Sequence, residues 1–277
     1  VEIKKTGDIV GGILSEAVLE EREYDCPKHG KYIGRPKWIK LLKKEGAPLC
    51  PKCEEESEKQ RAAEEQKRQE ESKRIQAERE KADRIKRLTD LNIGERLWNE
   101  SFETFDAYTD ELKHHLEICM EFADNPQGRK LVMLGNNGTG KNHLAASILK
   151  VTGGVIYKIY QISSMARQAQ SEFREQEFYD KLCKAEMLVI DEIGRTNNSA
   201  FETNWFSYVF DKRHENLKPI VLISNKHLKE SCPSKGGCPD CFQNWVGNDV
   251  LSRIIEDGLV MEFTGEDYRG QKAARKE

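Results

Sequence analysis

The chain has 277 residues, enough for one sizeable domain and a smaller one. Its 45 basic and 48 acidic residues leave a net charge of −3, which excludes a globally basic coat; nucleic acid would need a local patch or a channel built from several subunits. No early run is apolar and long enough for a signal peptide or membrane span, so the expectation is a soluble cytoplasmic protein with no membrane partner; its eight cysteines do not suggest a disulfide framework, and two clusters of them have metal-ligand spacing instead.

Residues 1–53 read as a small module. Cys26-x2-His29 and Cys50-x2-Cys53 form two close pairs, the pattern of a tetrahedral Zn2+ site in which each pair makes a knuckle. Pro27 and Pro51 stiffen the turns, and Gly30 lets the chain turn away. So short a segment has too little core to be secure without a staple. Between the pairs, the run from Arg35 to Lys44 opens with Pro36 and is closed by Gly46, which predicts an amphipathic helix with Trp38, Leu41 and Leu42 near one side. Two readings stand for it: packing against the knuckles, or a docking or DNA-touching surface made by its lysines.

Residues 54–90 predict a charged helical linker. Positions 54–88 hold 22 charged residues, 11 of each sign, without Pro or Gly to break a helix. The apolar positions sustain no heptad stripe, so i,i+4 charge pairs must hold it, over roughly 50 Å if continuous. It is either a spacer or a partner-binding helix.

From residue 95 to 277 the pattern is α/β. Strands are predicted at 129–134, 155–160, 187–190 and 219–225. Helical stretches follow at 143–149, 163–184 and 204–213. Continuous apolar strands alternating with helices imply a parallel sheet covered on both faces. Between the first strand and its helix lies Gly135-Asn136-Asn137-Gly138-Thr139-Gly140-Lys141-Asn142, a phosphate-binding loop in all but its last residue. The glycines let backbone N–H groups face phosphates, the helix from His143 adds its N-terminal donors, and Lys141 reaches the β- and γ-phosphates. Residues Gly135 to His143 are therefore expected to bind ATP or ADP. Asn142 stands where Ser or Thr normally completes the Mg2+ site, and its amide oxygen is a weaker ligand, so turnover should be slow. Asp191 should hold Mg2+ with Asn142, and Glu192 should polarise the attacking water as general base. Asn225, ending the fourth strand, can orient that water or sense the γ-phosphate.

The run Gly138-Thr139-Gly140-Lys141-Asn142-His143-Leu144-Ala145-Ala146 resembles the ATPase core of the bacterial and phage replicative-helicase loaders, the DnaC-like family. Ser101-Phe102-Glu103-Thr104-Phe105, Val189-Ile190-Asp191-Glu192-Ile193-Gly194, Leu222-Ile223-Ser224-Asn225, Leu251-Ser252-Arg253-Ile254 and Asp267-Tyr268-Arg269 extend the resemblance over about residues 95–270. It implies an AAA+ ATPase that binds a hexameric replicative helicase and single-stranded DNA, and self-associates into a partial ring or spiral with ATP. By the same resemblance Arg253 is the arginine finger reaching a neighbouring subunit's nucleotide. The alternative is a salt-bridging helix residue. Candidate DNA contacts are Arg167, Arg174, Lys212 and Arg213.

His227-x4-Cys232-x5-Cys238-x2-Cys241 departs from the family within a Cys-rich insertion at about 227–245. It could hold a second Zn2+, remain a reduced loop, or be completed by another ligand. Two rival functions are a transposition-helper ATPase acting on duplex DNA and a non-hydrolysing ATP-bound adaptor; intact Asp191 and Glu192 argue against the latter.

Overall fold

The computed structural model describes residues 20–39, 44–196, 199–232, 234 and 238–268. Two compact units divide the chain, residues 1–80 and 81–277.

In the first unit, β1 (Arg22–Cys26) and β2 (Gly30–Gly34) form an antiparallel hairpin whose register sets Cys26 opposite Gly30, so the turn carries the first Cys/His pair. A second antiparallel hairpin joins β3 (Lys37–Ile39) to β4 (Lys44–Gly46). This corrects the helix expected from Arg35 to Lys44; residues 40–43 lie outside those described. The physical reason is that the two ligand pairs must meet, and a hairpin returns the chain on itself where a short amphipathic helix is marginal alone. Among the described side chains of residues 20–80, Cys26, Pro36 and Cys50 are the buried ones. Among the described residues of this unit, then, burial centres on the cysteines rather than on large apolar side chains.

α1 (Pro51–Asp90) is a 40-residue helix, and the division between units falls inside it. It starts at Pro51 rather than past Cys53, because proline's fixed φ and missing N–H suit the first helical position. Its exposed faces carry i,i+4 bonds such as Lys59 to Glu55 (2.6 Å) and Arg74 to Glu78 (3.2 Å).

In the second unit, α2 (Asp110–Asp124) is capped by Thr109, whose hydroxyl accepts from the Leu112 N–H at 3.1 Å. Then come β5 (Lys130–Gly135), α3 (Lys141–Thr152), β6 (Val155–Lys158), α4 (Ile159–Ser171), α5 (Glu175–Lys184) and β7 (Leu188–Ile193). The chain closes through α6 (Ala200–Glu215), β8 (Ile220–Ser224), α7 (Phe242–Val246), α8 (Asn248–Asp257) and β9 (Gly258–Phe263). The helix expected over 163–184 is two helices, broken at Phe173 with φ 56°. β9 and α2 had no counterpart in the sequence reading.

The five strands run parallel in the order β6-β7-β8-β5-β9. Side chains alternate between faces. Val132, Leu134, Leu188, Ile190, Ile220 and Leu222 join one core with α4 to α8. Leu131, Met133, Val189, Val221, Ile223 and Met261 join the other with α2 and α3. Both faces are dry, as the continuous apolar runs require. The polar residues therefore gather at the carboxyl ends of β5, β7 and β8, where parallel α/β sheets bind ligands.

Candidate nucleotide site and metal centres

A cavity of about 980 Å³ opens at those strand ends. It is lined by Asn137 to His143, Asp191, Glu192 and Asn225, so the expected loop, acids and strand-end amide come together. Gly135 and Asn136 lie in the same loop without lining the cavity, and Arg253 does not line it either.

The loop is tightly held. Gly138 and Gly140 have φ of 75° and 97°, values that favour glycine, and a Cβ on Gly140 would lie 2.6 Å from the Phe105 ring. A Cβ on Gly138 would collide with the Asp267 carboxylate, and the Tyr268 N–H donates to the Gly138 carbonyl at 3.1 Å. The Lys141 ammonium is buried and donates to the carbonyls of Gly135 (2.7 Å) and Asn136 (2.5 Å). His143 turns both ring nitrogens to the preceding segment, Nε2 to the Ser101 carbonyl (2.7 Å) and Nδ1 to Glu100 (3.0 Å). It anchors the Ser101–Phe105 wall as well as lining the cavity.

Adjacent residues of a regular strand point to opposite faces, so Asp191 and Glu192 should not both reach one site. They do because β7 breaks register against β8 between Ile190 and Ile193, while Glu192 takes φ 60°. A left-handed glutamate is uncommon and strained, and such strain concentrates at functional sites. Asp191 is buried and accepts from Asn142 Nδ2 (2.9 Å) and the Glu192 N–H (2.7 Å). Burial raises its pKa, outweighing those two bonds. Glu192 Oε1 accepts from Lys158 Nζ (3.2 Å) and Arg195 Nη1 (3.1 Å). The sequence reading missed both cations; Lys158 ends the strand beside β7, the one signal for it.

A profile of the IstB-like ATP binding proteins matches residues 54–276. The chain belongs to this family. The replicative helicase loader DnaC of Escherichia coli K12 is 26% identical over 188 residues, 64% of this chain and 72% of that protein. A protein of insertion sequence IS232 from Bacillus thuringiensis subsp. berliner is 27% identical over 158 residues, 55% of this chain and 59% of its own. A crystal structure of the DnaC helicase loader superposes with a TM-score of 0.54 at 22% identity, covering 62% of this chain and all of the other. That likeness bears out the α/β fold, a parallel sheet flanked by helices.

Around this family core, Arg253 on α8 pairs with Asp211 of α6. Arg213 corrects the candidate DNA contacts. It is fully buried, its guanidinium donating to the carbonyls of Leu182 (2.6 Å), Ala185 (2.9 Å) and Pro219 (2.5 Å). It closes the carboxyl end of α5 instead of facing solvent. Arg167, Arg174 and Lys212 stand near acids: Glu202 at 4.0 Å, Glu172, and Glu215 at 2.7 Å respectively.

Both Cys/His sets converge. The ligand atoms of Cys26, His29, Cys50 and Cys53, and likewise those of His227, Cys232, Cys238 and Cys241, lie within 4.8 Å of one another. In the first set, His29 Nδ1 is 3.3 Å from Cys53 Sγ and 3.7 Å from Cys50 Sγ. Its other nitrogen is 3.3 Å from Glu56, a carboxylate that orients metal-bound imidazoles and that the spacing alone did not reveal. Backbone N–H groups of Lys28 and His29 lower the Cys26 thiol to about 6, while its hydrogen bond with Cys26 raises Cys53 to about 11, so the pair favours one thiolate. Among the described residues, no helix is long and apolar enough to cross a membrane.

Proposed function

We propose that this chain is an ATP-hydrolysing switch that helps place a hexameric replicative helicase on single-stranded DNA, self-associating into a partial ring or spiral when ATP is bound. The observation that carries hydrolysis is the strained delivery of Asp191 and Glu192 into one cavity with the phosphate loop. The helicase part rests on the similarity to the DnaC loader.

The residues present fit a nucleoside triphosphate with Mg2+: a loop with left-handed glycines, a buried lysine, and a buried carboxylate next to a carboxamide. Residues Gly135 to His143 form the nucleotide-binding segment, and Lys141 exchanges its carbonyl partners for phosphate oxygens. Asn142 and Asp191 would hold Mg2+, which would supply positive charge against the phosphates. Asn142 already donates to Asp191, so its oxygen remains the ligand.

Glu192 takes the proton from the attacking water, which Asn225 orients. Glu192 Oε1 already accepts from Lys158 and Arg195, so the carboxylate must first leave them to reach the attacking water. This gives slow turnover a cause beyond Asn142: the isolated chain holds its base in reserve, and assembly with a partner releases it. Arg253 similarly leaves Asp211 to act on a neighbouring subunit's nucleotide. Cys26, His29, Cys50 and Cys53 hold a structural Zn2+ that makes residues 20–53 a docking module, with α1 as its linker.

The test is ATP turnover by the full chain with a hexameric helicase and an unstructured oligonucleotide. Stimulation by both supports the reading; turnover indifferent to both refutes it. Arg253→Ala should bind ATP without hydrolysing it, and mixing it with Glu192→Gln subunits should restore activity if the finger acts in trans. A second reading, a transposition helper, is favoured by the insertion-sequence relative. Tighter binding to duplex than to single strands, with no response to helicase, would select it.

A further inference from the structure

The second Cys/His set lies between two parts of the ATPase site, and its surroundings say what it does. Cys238 Sγ is 3.4 Å from Cys232 Sγ, 3.5 Å from Cys241 Sγ and 3.2 Å from His227 Nε2. Tetrahedral Zn2+ with its usual bond lengths places sulfur atoms about 3.8 Å apart and sulfur and nitrogen about 3.5 Å apart. The three distances around Cys238 therefore need to change by only a few tenths of an ångström, and all four ligand atoms lie within 4.8 Å of one another. Three soft sulfurs and one imidazole fill four positions and are the donor set of a structural zinc site. Cys232 and Cys241 are buried.

The set staples two segments. On one side, His227 follows Asn225 by two residues, at the end of β8. Between them, the Lys226 N–H donates to Ser224 Oγ (3.1 Å), and that hydroxyl donates to the Ile193 carbonyl (2.6 Å), next to Glu192. Lys226 Nζ reaches across to the Pro239 carbonyl at 2.8 Å. On the other side, Cys241 is the residue before α7, whose Phe242, Trp245 and Val246 enter the core, and α7 leads through Gly247 into α8 with Arg253. His227 and Cys241 are joined by a parallel bridge, Phe242 N–H to His227 carbonyl at 2.9 Å and His227 N–H to Asp240 carbonyl at 3.2 Å. A connection this long between a strand and a helix normally has a functional cause or is loose. Here its two ends are clamped at one point.

We infer that His227, Cys232, Cys238 and Cys241 bind a structural Zn2+ that fixes the end of β8, with Asn225, to the α7–α8 pair carrying Arg253, so that the metal sets the hydrolytic arm and leaves the phosphate loop alone. The metal site stands independently; its effect on turnover rests on the ATPase reading above.

The experiment compares the full chain with Cys238→Ser/Cys241→Ser, with His227→Cys, and with Cys26→Ser/Cys53→Ser. Zinc content should be about two per chain in the wild type and in His227→Cys, and about one in each double variant. In Cys238→Ser/Cys241→Ser, amide exchange at Ser224–Lys226 and Asn248–Asp257 should quicken about tenfold or more while α3 keeps its protection; turnover should fall by about the same factor, with affinity for a fluorescent ATP analogue within about threefold. His227→Cys, which keeps four ligands, should leave all three at wild-type values. Co2+ added to the metal-stripped Cys26→Ser/Cys53→Ser chain should give the intense visible bands of a tetrahedral cobalt thiolate. An unchanged zinc count in Cys238→Ser/Cys241→Ser, or absent cobalt bands, overturns the site. Lost zinc with unchanged exchange in α8 overturns the clamp, as does loss of α3 protection in the same proportion. If the wild type hydrolyses no ATP under any condition, the ATPase reading fails, while zinc, cobalt and exchange still decide the site and the clamp.

Discussion

The phosphate loop and the strand-end acids face each other across one cavity, yet they are built in opposite ways. The loop is local: eight consecutive residues, with glycines where φ is left-handed and Lys141 folded onto its own loop's carbonyls. The acid side is assembled from afar. Asp191 is held by Asn142 of α3, Glu192 by Lys158 of β6 and Arg195, and the kink that aims both depends on pairing with β8. Direct phosphate contact thus rests on the loop, with Asp191 joined to it through Asn142, whereas the position of Glu192 is exposed to every element touching β7. The proposed switch would use that division, because a partner could reach Glu192 without touching the loop.

The comparison can be broken from behind the sheet. Arg213→Met leaves the carbonyls of Leu182, Ala185 and Pro219 without their donor, at the entry to β7 and β8. Chemical denaturation should show a loss of about 3–5 kcal/mol. Oligonucleotide affinity measured on the folded fraction should not change. A selective loss of DNA binding at unchanged stability would reinstate Arg213 as a contact.

Lys141→Ala tests the loop alone. Losing one charge-assisted partner of the phosphates should cost about 2–3 kcal/mol, or about 30- to 150-fold in ATP affinity by titration calorimetry. Unchanged affinity would mean that the loop does not hold phosphate.

Asp191 gives a pH test of the other side. Its folded pKa is raised by burial, so the stability this group contributes is present below the unfolded carboxylate pKa and is lost as pH rises through the folded one. Asp191→Asn should therefore melt at a higher temperature than wild type at neutral pH while losing Mg2+-dependent ATP binding. In the wild type that binding should weaken on acidification from above the usual carboxylate range. Lower stability of Asp191→Asn at neutral pH would contradict the burial argument.

The smallest effect concerns the grip on Glu192. Lys158→Met and Arg195→Met should each raise the turnover of the chain alone by a few-fold, on the order of 1 kcal/mol, and shrink the stimulation by partners. A fall in basal turnover would instead make these cations part of the chemistry.

Much of this was legible because it is written in short-range spacing. The loop, the acid pair and both Cys/His sets each need a few residues at set intervals, and the apolar strands announced a two-faced sheet. What escaped depends on distant partners. Nothing local to Glu192 signals its left-handed φ, since the register break is made with β8. The β3–β4 hairpin replaced a helix because the ligand pairs had to meet. Arg213 carried an unused signal: it lies four residues after Val209 and seven after Phe206, on the buried stripe of α6. Thr109 likewise marked the start of α2 by its capping position.

The most direct test of the central claim is single-turnover hydrolysis by Glu192→Gln beside wild type, with helicase and single-stranded DNA present and ATP affinity measured on the same samples. A general base should be worth about 10²- to 10⁴-fold, so turnover should fall by that factor with ATP affinity within about threefold. Wild-type turnover in Glu192→Gln, or a matching loss of binding, would contradict the division between a loop that holds ATP and a strained acid that spends it.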